Sequence, residues 1–118
     1  MSSSARRWRF RLLHMIEAVG RIQTFVEGMS LEGFLTDART SDAVLRNLEI
    51  IGEAARLVPE HITNQYGQVP WADMRAIRNI VAHEYDRVNL ATIWETIHND
   101  LPPLGPLLQQ VIDEAPQD

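Results

Sequence analysis

The stretch RNIVAHEY, residues 78–85, places an arginine, a histidine and a tyrosine in a run that otherwise has the pattern of a buried helix. On an ideal helix, Arg78 and Tyr85 share one face and lie about 10.5 Å apart along the axis. His83 lies about 140° round the helix from Arg78 and about 7.5 Å along it. An arginine on an apolar stripe needs a phosphate, a carboxylate or a subunit boundary as its partner, because an unpaired buried charge is costly.

Arg78 and His83 have the chemistry for cleaving RNA without a metal ion. Histidine titrates near neutral pH and can act as general base or acid, and arginine can hold a phosphate and offset charge in the transition state. Activation of the 2′-hydroxyl beside the scissile phosphate would give a 2′,3′-cyclic phosphate and a 5′-hydroxyl. The spacing alone is more typical of a structural pair, with the arginine in a salt bridge and the histidine at the surface.

Four to five amphipathic helices are predicted to position these residues, because apolar residues recur at helical spacing and no segment alternates as a strand would. Expected N-caps are Thr40 or Ser41 for the second helix and Asn89 for the fourth, and Gly28 is the expected stop of the first. Pro106 is expected in the first turn of the last helix. The predicted helices span approximately residues 5–26, 40–58 and 71–85. A fourth runs from residue 89 to the prolines at 102 and 103, and a last short helix covers 104–112. We predict an all-α, up-down bundle in a single domain over residues 1–118, with its core at about 8–112 and short loose termini.

Arg78 and His83 point in different directions on an ideal helix, and there are three ways in which both could contact one ligand. The ligand can lie on the flank between them, the helix can distort, or a second copy can face the first. Ile50 and Leu57 lie away from the main stripe of the second helix, which indicates a second buried face. A homodimer with a composite site is therefore the most economical of the three.

Composition limits the classes of function. Formal net charge is −5, all 11 basic residues are arginine, and from Asn89 onward there are five acids and no base. Non-specific electrostatic binding along a long nucleic acid is therefore not expected, although a local pocket for one phosphate is compatible with this charge. The chain has no cysteine, which excludes disulfides and thiolate metal sites and fits a reducing cytoplasm. No stretch approaches the roughly 20 apolar residues of a membrane span, and MSSSARRWRFRLLHMIEAV lacks the cleavage site of an export signal.

Glu53 lies on the second predicted helix, and its simplest role is a helix-surface salt bridge with Arg56, three residues on. His14, His61 and His98 show no zinc-ligand spacing, so neither a metal site nor a cofactor is predicted.

Two further groups of residues have a structural interpretation. The tryptophans lie on apolar stripes and are predicted to be core: Trp8, Trp71 and Trp94. The amino-terminal arginines either contact RNA backbone or form a solvated helix start: Arg6, Arg7, Arg9 and Arg11.

Several stretches together resemble the HepT-like branch of the HEPN superfamily, toxins encoded beside a minimal nucleotidyltransferase antitoxin. They are SDAVLRNLEIIGEAA (41–55), VPW (69–71), IRNIVAHEYDRVN (77–89) and IWETIHNDLPPL (93–104). The resemblance covers about residues 10–110 and is far more specific than the Arg-x4-His-x-Tyr motif alone.

The resemblance implies an all-helical homodimer with a composite cleft and, in many members, metal-independent RNase activity. It assigns Arg78 and His83 as the catalytic pair and Asn79 as the polar residue that orients the phosphate. Tyr85 matches the tyrosine that the nucleotidyltransferase modifies with AMP in some systems. Glu53 matches a recurrent acidic position, which implies a place beside the cleft as the alternative to its salt bridge. The added phosphate groups would repel RNA from the cleft.

Two other classes of function stay open. One is a non-catalytic helical subunit that binds and regulates a partner nucleotidyltransferase, and the other is a plain dimeric scaffold. The RNA that is cleaved, the cleavage position and the mode of neutralisation cannot be read from the residues.

Overall fold

The computed structural model describes the backbone of residues 7–83 and 89–116 and the side chains of residues 7–77 and 89–116. Over those residues every regular element is a helix, which confirms the predicted all-α class. The helices are α1 (Trp8–Val26), α2 (Leu31–Thr36), α3 (Ala38–Arg56), α4 (Glu60–Gln65), α5 (Trp71–His83), α6 (Leu90–Asn99) and α7 (Leu101–Glu114). Within the described ranges, none of these helices is long and apolar enough to cross a membrane.

The long helices pack as up-and-down neighbours. α1 packs on α3 and α7, and α3 also packs on α5. Arg11 near the start of α1 and Leu57 just after α3 line the same groove, so these two helices are antiparallel. The Arg75 side chain in the first half of α5 reaches the main-chain oxygen of Ala55 near the end of α3, so α3 and α5 are antiparallel as well. The smaller α2 packs on α3 and α6, and α6 packs on α7.

α1 buries the stripe that its sequence predicts. Its inward residues are all at most 5% exposed: Trp8, Leu12, Met15, Val19, Ile22 and Val26. The helix ends at Val26, and Gly28 follows with a φ of 78°, which confirms Gly28 as the residue that stops it. A side chain at that left-handed φ would be strained, whereas glycine adopts it readily.

The start of α3 differs from the prediction that Thr40 or Ser41 caps it. Asp37 is the N-cap, and its carboxylate accepts hydrogen bonds from the Thr40 main-chain N–H at 3.0 Å and the Thr40 hydroxyl at 2.7 Å. Ser41 lies inside the helix, where its hydroxyl donates to the oxygen of Ala38 at 3.2 Å. The prediction was wrong because Asp37 is an equally good cap one turn earlier, and serine and threonine hydroxyls can also bond within the helix.

α7 begins earlier than predicted. It starts at Leu101, so Pro102 and Pro103 lie in its first turn, and Pro106 lies inside the helix and not in the first turn. The pair of prolines starts a helix here because the first four main-chain N–H groups of a helix have no partner within it, and proline has no N–H to leave unpaired. The predicted N-cap of α6 is confirmed, since the Asn89 side chain accepts from the Thr92 N–H at 3.2 Å.

The tryptophan prediction is confirmed for two residues and holds in part for the third. Trp8 and Trp71 are 1% and 5% exposed. Trp94 is half-buried, with its ring centroid 5.3 Å from that of Phe34 and 4.1 Å from that of His98. Together with the other buried apolar side chains, Trp8 and Trp71 form one core cluster, against which Trp94 packs.

Candidate active site

The predicted catalytic pair lies on the second half of α5. Arg78, Asn79 and His83 are all within Trp71–His83, so the helical spacing assumed from the sequence applies to their backbone. Their side chains lie outside the described residues, and Tyr85 lies wholly outside them. The structure therefore locates Arg78, Asn79 and His83 on a helix and leaves the side-chain roles as proposals.

Two hydrogen bonds fix the first half of α5. The indole N–H of Trp71 donates to the main-chain oxygen of Tyr66 at 2.9 Å in a buried setting. One turn later, the Arg75 Nε donates to the oxygen of Ala55 at 3.4 Å, while Met74 is 2% exposed in the core. Because a helix is stiff over one or two turns, these contacts also set the direction in which the backbone of Arg78 and His83 continues.

Glu53 forms the salt bridge that its spacing predicts. Its Oε1 lies 3.0 Å from the Nη2 of Arg56, three residues on, which confirms that interpretation. The Glu53 side chain is still 42% exposed, so the pair sits at the surface. Surface pairs of this kind contribute at most about 1 kcal/mol to stability.

The same carboxylate also faces a groove of about 420 Å³ between α1 and α3. Arg11 and His14 supply the α1 side, and the α3 side is lined by Arg46, Glu49, Ile50, Glu53, Ala54 and Leu57. Arg46 is paired with Glu49 at 3.1 Å. The groove thus combines paired charges with apolar side chains, an arrangement that suits a polar ligand bearing a flat apolar part or a second protein surface.

His14 is a groove residue to which the sequence had assigned no role. It is exposed on α1, and the packing of α1 on α3 brings it into the same groove as Glu53. The only signal in the sequence is that Arg11 and His14 are three apart on the flank of the apolar stripe. That signal cannot identify a groove, because the opposite wall is about 40 residues away along the chain.

The other described histidines do not form a metal site. The Nδ1 of His98 lies 2.9 Å from the main-chain oxygen of Trp94, and its ring packs on the Trp94 indole. His61 is exposed on α4. Over the described part of the chain, no group of three or more His, Asp or Glu side chains is arranged to hold a metal ion.

Comparison with known proteins identifies the relatives of this chain. A family model described as ribonuclease HepT-like matches residues 15–111. A "putative RNase" of Methanocaldococcus jannaschii is 38% identical over 91 residues, covering 77% of this chain and 75% of its own length. A "putative RNase" of Caldanaerobacter subterraneus is 33% identical over 103 residues, covering 87% and 92%. A "probable ribonuclease HepT" of Thermococcus cleftensis is 36% identical over 88 residues, covering 75% and 80%.

No solved structure matches the chain significantly. The helical bundle and the motif on its fifth helix define a HEPN-type helical protein. The family match extends from within α1 to α7 and includes the whole of α5. The chain belongs to the HepT-like ribonuclease family.

Proposed function

We propose that this protein is a metal-independent endoribonuclease and the toxin of a toxin–antitoxin pair acting in the cytoplasm. The observation that carries the proposal is the HepT-like match over residues 15–111, which includes the helix bearing Arg78 and His83. The ribonuclease names of relatives that are 33–38% identical support the same activity. The whole chain, residues 1–118, would act as a single domain.

The reaction follows from the chemistry of the two motif residues. His83 takes the proton of the RNA 2′-hydroxyl, and the 2′-oxygen attacks the adjacent phosphorus. Arg78 binds the phosphate and offsets the charge that builds up on its oxygens, and Asn79 orients the same group. The bond to the 5′-oxygen breaks, and the protonated His83 returns its proton to that oxygen, directly or through a water molecule. The products are a 2′,3′-cyclic phosphate and a 5′-hydroxyl.

A homodimer would bring two copies of Arg78 and His83 to one cleft. Support comes from the outer faces of α1 and α3, where large apolar side chains are left uncovered. Phe10, Leu13 and Leu57 are 63%, 40% and 44% exposed. The charged pairs Arg46–Glu49 and Arg56–Glu53 lie on the same side of α3 as the groove, and a two-fold axis could match arginines of one copy with glutamates of the other.

Neutralisation is assigned to a minimal nucleotidyltransferase antitoxin that adds AMP to Tyr85. The adduct would bring negative charge close to the cleft and repel the RNA backbone. Incubation of the protein with the nucleotidyltransferase and ATP should add AMP units to the intact mass. The Tyr85→Phe variant should gain none, and an unchanged mass of the unmutated protein would remove this step from the proposal.

The nuclease proposal is tested by incubating the purified protein with cellular RNA in EDTA. We expect cleavage that ends in 2′,3′-cyclic phosphates and is lost in His83→Ala. His61→Ala is the matched control, because His61 is an exposed histidine outside the motif helix. Circular dichroism and sedimentation must show that both variants keep the helical fold and the oligomeric state.

The competing function is a non-catalytic helical subunit that regulates a nucleotidyltransferase. The observation that favours it is the carboxy-terminal part of the chain, where residues 89–118 contain five acids and no base and would repel RNA. If no cellular RNA is cleaved and expression without the partner leaves growth unchanged, the nuclease proposal fails and this alternative replaces it.

A further inference from the structure

A second groove of about 540 Å³ lies between α5 and the corner where α6 meets α7. We call it the α5–α7 groove. Met74, Leu101 and Leu104 form its floor and are 2%, 1% and 3% exposed. Ile77 and Leu107 line its sides and are half-buried, so they offer apolar surface to an occupant.

Among the described residues, the polar side chains that line the α5–α7 groove are acidic or neutral. Asp73 on α5 and Asp100 between α6 and α7 are both exposed and line it. The other polar lining residues in this part of the chain are Gln68, Thr96 and Asn99. The groove therefore combines an apolar floor with negative charge at the edge.

These properties select one kind of occupant. RNA is disfavoured, because its phosphates would lie against the carboxylates of Asp73 and Asp100. A peptide segment with large apolar side chains would cover the floor, and arginine or lysine beside them would complement the two carboxylates. The volume is within the range of about 300–1,000 Å³ that is usual for binding pockets.

We propose that the α5–α7 groove binds a basic segment with large apolar side chains, contributed by a protein partner. Such a segment would contact Asp73, Met74 and Ile77 on the helix that carries the motif, and Ile77 directly precedes Arg78. An occupant of the groove would thus contact the helix of the candidate active site directly. The binding itself does not depend on the proposed nuclease activity, so the two proposals can fail separately.

Fluorescence anisotropy with labelled model peptides tests the proposal on the full chain. The probe is a short amphipathic peptide with leucines on one face and arginines on the other. One comparison peptide replaces its arginines with glutamates, and another replaces its leucines with serines. We expect both comparison peptides to bind at least about tenfold more weakly than the probe. Added salt should also weaken the binding of the probe, because it shortens the Debye length.

Matched variants separate this groove from the general negative charge of the protein. The double variant Asp73→Asn with Asp100→Asn removes two charges at the groove, and Asp100 makes no side-chain cap for α7 that the change would break. The control, Asp113→Asn with Glu114→Gln, removes two charges at the far end of α7. We expect about a tenfold loss of probe affinity in the groove variant and less than a twofold change in the control.

Three results would overturn the proposal. Equal losses in the two double variants would mean that the peptide only senses net charge. Failure of the probe to bind at roughly millimolar concentration would leave the groove without the proposed occupant. If Leu107→Glu converted a dimer to a monomer in sedimentation, the groove would instead be covered by a second copy of the chain.

Discussion

The guanidinium of Arg9 donates a hydrogen bond to the main-chain oxygen of Ala115 at 2.7 Å and thereby joins the start of α1 to the end of α7. The same side chain donates to the oxygens of Ile112 at 2.7 Å and Pro116 at 2.8 Å. Its guanidinium carbon also lies 4.6 Å from the centre of the Trp8 ring. Arg9 therefore takes neither of the roles expected for the amino-terminal arginines, since it caps carbonyl groups that α7 leaves unpaired.

Removal of this cap should destabilise the fold. We expect Arg9→Ala to lower the free energy of unfolding by about 1–3 kcal/mol, because it leaves main-chain oxygens without their charged donor. Urea denaturation followed by circular dichroism measures the change. The control is Arg21→Ala, which removes an exposed arginine that lies 3.6 Å from Glu17. Similar losses in the two variants would mean that Arg9 stabilises only as a surface charge.

The cap of α3 should make stability depend on acidic pH. Hydrogen bonds from Thr40 hold the pKa of Asp37 below its ordinary value of 3.8. The ionised carboxylate thus stabilises the folded protein above the unfolded pKa, and this contribution is lost as pH falls through the lower folded pKa. Asp37→Asn keeps a capping oxygen that cannot titrate. The midpoint temperature of its thermal unfolding should therefore decrease less steeply than that of the parent protein as pH falls through this range. The control is Asp42→Asn, which changes an exposed residue of α3. Its unfolding midpoint should depend on pH as that of the parent protein does.

The hydrogen bond from the indole N–H of Trp71 should contribute to stability. Trp71→Phe removes one of the two N–H donors to the buried oxygen of Tyr66, which keeps the main-chain N–H of Val69 at 3.2 Å, and we expect a loss of about 0.5–1.5 kcal/mol in unfolding free energy. Trp94→Phe is the matched control, because Trp94 is half-buried and packs through its ring. Equal transition midpoints in urea for Trp71→Phe and the parent would show that this hydrogen bond has no net effect on stability.

Glu53 should influence cleavage if its groove is part of the composite cleft. We expect Glu53→Gln to reduce the rate of RNA cleavage about tenfold or more while leaving the unfolding transition within about 1 kcal/mol of the parent. Glu17→Gln is the control, since Glu17 is also a helix-surface glutamate paired with an arginine. An unchanged rate in Glu53→Gln would mean that Glu53 has no role in cleavage.

The exposed apolar face of α1 and α3 should hold the dimer together. Phe10→Glu combined with Leu57→Glu should shift the protein from dimer to monomer in sedimentation, because each change places a charge on apolar surface that association removes from water. RNA cleavage should fall with the dimer if the site is composite. Leu35→Glu is the control, as Leu35 is 45% exposed on α2. A parent protein that is monomeric at micromolar concentration would contradict the composite site.

Much of the fold could be predicted because helix formation and burial are local patterns. The stripe of α1, the Gly28 stop and the Asn89 cap follow from short-range rules, and all are observed. The first residue of α3 and the position of Pro106 were predicted wrongly, because neighbouring caps and prolines compete within a few residues. The competing helix starts differ little in energy, so the packing of the surrounding side chains decides which one forms.

The sequence by itself determined the helical class, the family and the positions of Arg78 and His83 on one helix. Tertiary structure alone decided which distant residues share a groove. The packing of α1 on α3 brings His14 and Glu53 together, and the α6–α7 corner supplies the leucines beside α5. Periodicity shows which face of a helix is apolar, but not which helix will cover it. That choice depends on the shapes of all the packed side chains together.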